Sequence, residues 1–495
     1  MTGVAGRWMR HVQTHPEDVA IHGRSRVATY HDLATRASGH LAELDAVPGG
    51  DPVLIVCADP VETVAAMLAA MACGRVFAPV DVRTPPARLA MAIDDLRPGA
   101  VVVDRSGSPV LAATGREGFR TLDARDVRDH AVDPARWQWH RGEPDGPGYV
   151  YFTSGTTGRP KGVVGSLPAI THFVTWEIDL LDAGRGTRVS SLTSAGFDAF
   201  LRDAFVPLCS GGTMVVAPHS ARGGQGLARW LESNRVQILH CVPTVFRTLR
   251  AAGLTSGSLP ELRAVLLAGE PVRPSDVRSW QELFGTEKEL INLYGPTETT
   301  MTKLFHRMTA ADASADAVPV GRPLPGVAVR LLESGEVELR TPFPLHGYLG
   351  ERQGGFDPSD PHRFRTGDLG RIRPDGSLEL LGRRDRQVKV NGVRVELDDV
   401  ANVLMRCPGV HDAHVVLTGE KLCAYVVAED GHQEQRVLRH LREQLPPGVI
   451  PAVFVWLDEL PRTLSGKVDR PRLPQPPDKP RPPDKPRGRE RADAF

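Results

Sequence analysis

The chain has 495 residues, 60 basic against 60 acidic, with 41% hydrophobic and 24% charged positions. That length exceeds one small core and calls for a large domain with a smaller one beside it. The balanced charge excludes a global field that would draw the protein to nucleic acid or an anionic membrane, and no apolar run approaches the ~20 residues needed to span a bilayer.

The opening stretch, "MTGVAGRWMRHVQTHPEDVA", has no apolar core of a secretory signal, so a cytoplasmic location is expected. Further along, "DPVLIVCAD" reads as a buried strand, "PVETVAAMLAAMACG" as a helix stopped by glycine, and "RVFAPVD" as the next strand. "PARLAMAIDDLRPGAVVVD" and "GLARWLESNRVQILHCVP" repeat the helix-then-strand unit, and "LRAVLLAG" and "LINLYG" follow. Such alternation predicts parallel sheets covered by helices, with ligands at the carboxyl ends of the strands. Six cysteines (Cys57, Cys73, Cys209, Cys241, Cys407, Cys423) are scattered without a C-x-x-C pair. They read as small buried hydrophobes rather than a disulfide framework or a zinc site.

After about residue 320 the pattern changes. "VAVRLLESGEVELRT" and "GRIRPDGSLELLGRRDRQVKVNGVRVEL" alternate with period two around Asp-Gly and Asn-Gly turns, which predicts antiparallel hairpins. A second α/β stretch runs from "DDVANVLMRCPGVHDAHVVL" to "FVWLDELPR", with a domain boundary near Arg384–Asp385. Beyond Leu473 the sequence is nearly all Pro, Arg, Lys and Asp and holds "PPDKPR" twice, so an extended, disordered tail is expected. The predicted architecture is therefore α/β, in three parts. Residues 1–384 form a large N-terminal domain of parallel helix-covered sheets plus a hairpin-rich subdomain. Residues 385–473 form a small mobile C-terminal α+β domain, and residues 474–495 the tail.

Chemistry concentrates first in "YFTSGTTGRPKGVV", which starts at Tyr151. A Walker loop needs G-x-x-x-x-G-K-[ST], and Pro160 stands where its second glycine belongs. "SGK" at Ser465–Lys467 fails as well, with Pro461 in place of glycine and Val468 after the lysine. The physical logic of an anion-binding loop survives, because glycines let N–H groups converge while Thr, Ser and Lys161 add donors and charge. Taken alone, the stretch reads equally as an ordinary Gly/Thr turn.

Four further motifs follow in order: "NLYGPTETT", "RTGDLGR", "GRRDRQVKVNGVRVEL" and "LSGKVDR". With the loop they resemble the adenylate-forming superfamily, most closely the amino-acid adenylation domains of nonribosomal peptide synthetases. The likeness extends from about "ATYHDL" to Arg470. It implies ATP and Mg²⁺ as cofactors, with the loop of Thr153, Ser154, Gly155, Thr156, Thr157, Gly158 and Lys161 over the β- and γ-phosphates. It further implies Tyr294 stacked on adenine, Asp368 on the ribose hydroxyls, and Arg383 near the ribose or phosphates. Gly269, Glu270, Gly295 and Thr297 complete the ATP site. Glu298 would hold Mg²⁺, and Lys467 would enter the site to counter charge in the transition state. Asp385 corresponds to the hinge about which the small domain turns between two half-reactions. The opposite face of that domain, "VKVNGVRVEL", would then admit a phosphopantetheine thiol. Any single basic residue on this hairpin reads as part of a solvated face.

The same resemblance implies a substrate pocket. Asp198 falls where α-amino-acid activators keep a carboxylate for the substrate ammonium, with walls from Ala199, Arg202, His240, Leu266, Ala268, Leu293, Met301 and Thr302. Arg202 departs from the aromatic residue common there, and Phe200 and Asp203 depart from serine and glutamate. Two accounts stay open: Arg202 binds a carboxylate or other acceptor on the substrate side chain with help from His240, or it pairs with Asp203 or another acid at the wall and shapes the cavity.

The implied activity is a two-step ligase: aminoacyl-AMP plus pyrophosphate, then transfer to a phosphopantetheinylated carrier protein, with neither nucleic acid nor membrane as partner. The rivals are an acyl-CoA synthetase of the same superfamily and an inactive binding module that keeps the fold. Neither G-G-x-S nor H-H-x-x-x-D-G is present, so a freestanding activator or one excised from a larger synthetase, its carrier in trans or lost from the longer chain, is expected.

Overall fold

A computed structural model describes residues 3–133, 137, 146–153, 159–218, 221, 224–350, 355–384, 387–390, 392–428, 434–461, 468 and 470–476. Among the sequence-predicted site residues, Ser154, Gly155, Thr156, Thr157, Gly158, Asp385 and Lys467 lie outside the described residues, as do residues 477–495 of the tail.

Short apolar blocks supply the parallel strands. Val53–Val56, Ala100–Val103 and Thr213–Val216 are buried at every position, as strands covered on both faces must be. Counted over the described residues, one sheet has six strands in the order Arg120–Asp123, Ala100–Val103, Val53–Val56, Phe77–Pro79, Pro147–Thr153 and Lys161–Ser166. All of these pair in parallel except the last two, which form an antiparallel hairpin. A second sheet has nine strands. Its parallel centre runs Glu289–Tyr294, Ala264–Ala268, Ile238–Cys241, Arg188–Ser191, Thr213–Val216 and Val19–His22.

Helices fill the space between these sheets. Pro60–Ala72 begins on an Asp59 side chain that accepts the Val61 N–H, with proline at the first helical position, and buries every residue from Val61 to Met71. It joins Tyr30–Asp45, Leu167–Leu181 and Ala199–Ser210 in a core cluster that draws apolar side chains from both sheets. Each large aliphatic side chain fully buried there contributes about 1.5–3 kcal/mol.

The hairpin-rich subdomain is an antiparallel sheet built on the long strand Asp360–Ile372, which turns at Asp375–Gly376 into Leu378–Arg383. Next comes the hairpin of Gln387–Val390 and Val393–Glu396. The last layer pairs Val410–Thr418, Lys421–Ala428 and Val453–Trp456 under the helices Leu397–Met405 and Glu434–Gln444, around its own apolar cluster. No two of the six cysteines form a disulfide, and five of them are buried. Among the described residues no helix is long and apolar enough to cross a membrane.

Candidate active site

The carboxyl ends of three adjacent parallel strands bring the implied pocket walls together. His240 stands opposite Leu266 in register, and Ala268 stands opposite Leu293. Leu266, Leu293, Met301, Thr302, His240 and Arg202 are buried, whereas Asp198, Ala199 and Ala268 are half-buried. Met301 and Thr302 come from a turn in which Thr300 and Met301 both have positive φ, 65° and 53°. That backbone is costly for a β-branched threonine. Lys303 holds it, donating to the carbonyls of Thr300 at 2.6 Å and Thr302 at 3.1 Å, and Tyr149 Oη donates to Thr300 Oγ1 at 2.8 Å. Gly295 is required here, since a Cβ would lie 2.0 Å from the Met301 carbonyl oxygen.

Asp198 immediately precedes the helix Ala199–Ser210 but gives it no side-chain cap. Burial raises the Asp198 pKa, with Thr297 and the charge of Lys389 opposing. Arg202, one turn along the same helix face, reaches Asp203 at 3.4 Å through Nε. Asp203 is fully buried and also accepts from the Thr193 N–H at 3.2 Å. Burial acts to raise its pKa, but His240 and Arg202 outweigh this and hold it below its ordinary value. His240 lies between two carboxylates, 3.3 Å from Asp203 and 2.8 Å from the equally buried Glu177. Neither ring nitrogen makes a well-aligned hydrogen bond there.

The residues assigned to ATP form a second group. Thr153 and Lys161 face each other at the stem of the loop, and Thr153 Oγ1 donates to the Lys161 carbonyl at 3.4 Å. The Lys161 ammonium lies 5.5 Å above the Tyr348 ring. Tyr294 packs its ring among Leu304, Val337, Leu339 and Leu378, and its hydroxyl donates to Asp368. Burial and then the Asp368 charge push the Tyr294 phenol well up. Arg383, expected beside ribose or phosphate, donates to the other Asp368 oxygen at 2.7 Å. Glu270 accepts from the backbone and hydroxyl of Thr244 at 2.9 and 2.6 Å, and Gly269, at φ 91°, precedes it.

One expectation needs correction. Arg394 does not sit on a solvated hairpin face: its Nη1 lies 2.7 Å from each oxygen of Glu298, which is 3% exposed. Tyr348 Oη also donates to Glu298, at 2.7 Å. Burial alone would lift the Glu298 pKa, yet the Arg394 charge and the Tyr348 hydroxyl bring it below its ordinary value. Residues that sequence reasoning left without a role are thus Tyr348, Arg394, Glu177, Thr244 and Lys303. Arg394 stands inside a recognised motif block, while nothing in the local pattern marks Glu177 or Lys303.

The two sheets thus bring the implied pocket walls to the carboxyl ends of parallel strands, where open α/β sheets place their ligands. The C-terminal lobe docks there through Gly392 on Glu270 and Arg394 on Glu298. The family model for the AMP-binding enzymes matches residues 8–349, and that for the AMP-binding enzyme C-terminal domain matches residues 399–467. The chain belongs to the AMP-binding enzyme family, whose members use ATP. It is 33% identical over 490 residues to the AMB antimetabolite synthetase AmbB of Pseudomonas aeruginosa, covering 93% of this chain and 38% of that one. It is 29% identical over 489 residues to tyrocidine synthase 3 of Brevibacillus parabrevis, covering 94% of this chain and 7% of that one. The chain thus spans well under half of either relative. Among solved structures, the Vibrio cholerae adenylation domain AlmE in complex with glycyl-adenosine-5'-phosphate superposes with a TM-score of 0.82 at 22% identity, covering 95% and 97% of the two chains.

Proposed function

We propose that the chain activates an amino acid with ATP, releasing pyrophosphate, and passes the aminoacyl group from its adenylate to the phosphopantetheine thiol of a carrier protein. The observation that carries the reading is Asp198. It is a half-buried carboxylate just ahead of the helix Ala199–Ser210, and burial raises its pKa while Thr297 and the charge of Lys389 oppose. A substrate ammonium supplies the cation that such a carboxylate favours. Similarity to segments of peptide synthetases supports the amino-acid class and the carrier. Residues 1–384 then hold both substrates, and residues 385–473 turn about Asp385 to bring Lys467 in for the first step.

In that reading Lys161 and the loop it closes neutralise the phosphates, while Asp368, braced by Tyr294 and Arg383, presents a carboxylate to the ribose. A divalent cation would add charge neutralisation at the polyphosphate. Glu298, its expected ligand, does not fit one in this arrangement, because Arg394 and Tyr348 already engage the carboxylate.

The test is amino-acid-dependent exchange of pyrophosphate into ATP across proteinogenic and nonproteinogenic amino acids. One or a few should support exchange, and Asp198→Ala should depress all of them. Exchange driven only by fatty or aryl acids, or transfer to free coenzyme A in preference to a carrier protein, would overturn the reading.

A further inference from the structure

Glu177 is a buried charge to which the ligase chemistry gives no task. It is 0% exposed and shares its helix face with the buried Phe173, Val174, Ile178 and Leu181. Among the described residues its one ion-pair partner is His240, whose Nε2 lies 2.8 Å from Oε1. Neither Glu177 oxygen makes a well-aligned hydrogen bond, so charge rather than hydrogen-bond geometry holds the contact. On the other side of the ring, His240 Nδ1 lies 3.3 Å from Asp203 Oδ1, and Arg202 Nε lies 3.4 Å from the same oxygen. Glu177, His240, Asp203 and Arg202 therefore run in a line from the helix through the pocket wall. The neighbouring strand adds the Ser190 hydroxyl, which accepts the His240 backbone N–H at 2.9 Å and brings no charge.

Stability does not account for such a line, because a buried ion pair gains little over apolar residues of the same volume. What burial does impose is charge balance. The carboxylates of Glu177 and Asp203 against the single guanidinium of Arg202 leave the line one positive charge short. An ionised carboxylate only accepts, so a ring nitrogen that faces one favourably carries hydrogen. A neutral imidazole has hydrogen on one nitrogen and turns a lone pair toward the other carboxylate. Hydrogen on both nitrogens removes that repulsion and brings the four buried groups to a net charge of zero. Arg202 answers one carboxylate, and Glu177 is the one that calls for the second cation.

We propose that Glu177 is a positioning residue that sets substrate specificity: it holds His240 with hydrogen on both ring nitrogens, neutralising the pocket wall so that the pocket takes an amino acid with an uncharged side chain. The inference rests on the ligase reading for the substrate being an amino acid. A charged side chain of either sign would lose water beside a wall that has no opposite charge left to offer. The sign of the wall is then set by His240. Without its charge the two carboxylates outnumber Arg202, and a basic side chain becomes the favoured guest.

The experiment uses the full chain. Imidazole ¹⁵N signals of histidine-labelled protein are read near neutral pH, with His240 identified by the signal lost in His240→Gln. The wild type should show hydrogen on both His240 nitrogens, and Glu177→Gln on one. Pyrophosphate exchange is then compared over uncharged, acidic and basic amino acids, and the wild type should favour an uncharged side chain over lysine, ornithine, arginine, aspartate and glutamate. His240→Gln leaves the wall one charge negative, so kcat/KM for basic amino acids should rise at least about tenfold. Adding Glu177→Gln restores neutrality and should cancel that rise. An ion pair that merely joined helix to sheet would instead make each substitution lower every amino acid alike. Urea midpoints check folding, and His240→Asn takes the place of His240→Gln if that variant is unfolded. A wild-type His240 with hydrogen on one nitrogen overturns the proposal. So does a wild type that prefers a charged side chain, or a basic gain that is absent from His240→Gln or survives in the double variant. The ¹⁵N readout needs no substrate, so a ligase reading that fails on exchange and a wall that fails on its proton are told apart.

Discussion

Arg202 decides between two pictures of the substrate pocket, and its substitution separates them. The guanidinium is 5% exposed and its described bond goes to Asp203, a carboxylate that is fully buried. Removing one member of a buried ion pair costs ~3–5 kcal/mol. The 3.4 Å contact is long, and Asp203 keeps the Thr193 N–H and His240, so Arg202→Ala should fall at the low end, about 3 kcal/mol. Asp203→Asn should cost a similar amount by stranding the guanidinium, and the double variant should cost less than the two together, as coupled neighbours do. Urea midpoints at constant slope give these differences. The same geometry fixes the substrate result. Asp203 already balances the Arg202 charge, so the pocket does not require an acidic amino acid. Arg202→Ala should lower exchange for every accepted amino acid in similar proportion and keep their order. If the wild type prefers aspartate or glutamate and the variant turns to apolar side chains, Arg202 faces the substrate and this reasoning is wrong.

The contrast between Asp198 and Arg394 shows what a sequence discloses. Strand and helix alternation was legible because each element declares itself locally. Val53–Val56 is an unbroken apolar block, Asp59 and Pro60 punctuate the next helix, and Asp375–Gly376 marks a hairpin. Proximity was legible where one motif carries its residues in a single stretch, as with Tyr294, Thr297 and Glu298. Charge pairing across the fold is different, because the partner lies outside any window. Arg394 meets Glu298 across 96 positions, and whether it is solvated depends on how two lobes dock. Glu177 sits in the helix Leu167–Leu181, where a glutamate between apolar neighbours reads as a surface position. Its burial comes from His240, on a strand of the second sheet. Lys303 is hidden for the same reason: a lysine at a strand start looks exposed until the positive-φ turn before it is known.

Three further outcomes follow from the geometry. Tyr294→Phe removes a hydrogen bond to a charged acceptor, worth ~1.5–3 kcal/mol, so KM for ATP should rise at least tenfold while the ring keeps its packing; an unchanged KM would show that Asp368 needs no brace. Lys467→Ala should slow adenylate formation ~10²–10³-fold and spare transfer from supplied aminoacyl-adenylate, whereas Asp385→Pro should do the reverse; equal loss in both steps would refute a two-position lobe. The last concerns Lys303 and pH. Burial holds its ammonium pKa down to about 7, against an ordinary 10.5, with the Asp198 charge opposing. Between those values the unfolded chain binds more protons than the folded one, so stability rises with pH across that window. Below about pH 7 both states are protonated, the cost of the buried charge is fully present, and its contribution no longer changes with pH. Each unit of pH inside the window is worth up to ~1.4 kcal/mol, so the wild type should gain about 2 kcal/mol from this group between pH 7 and 9. Lys303→Met removes the titrating group and gives up two hydrogen bonds to the Thr300–Thr302 turn, so it should be less stable at pH 9 yet lack that gain. The measurement is the urea midpoint of both proteins at pH 6.5 and 9. If the difference between them is the same at the two pH values, Lys303 is not the proton-linked group and the turn is held by its geometry alone.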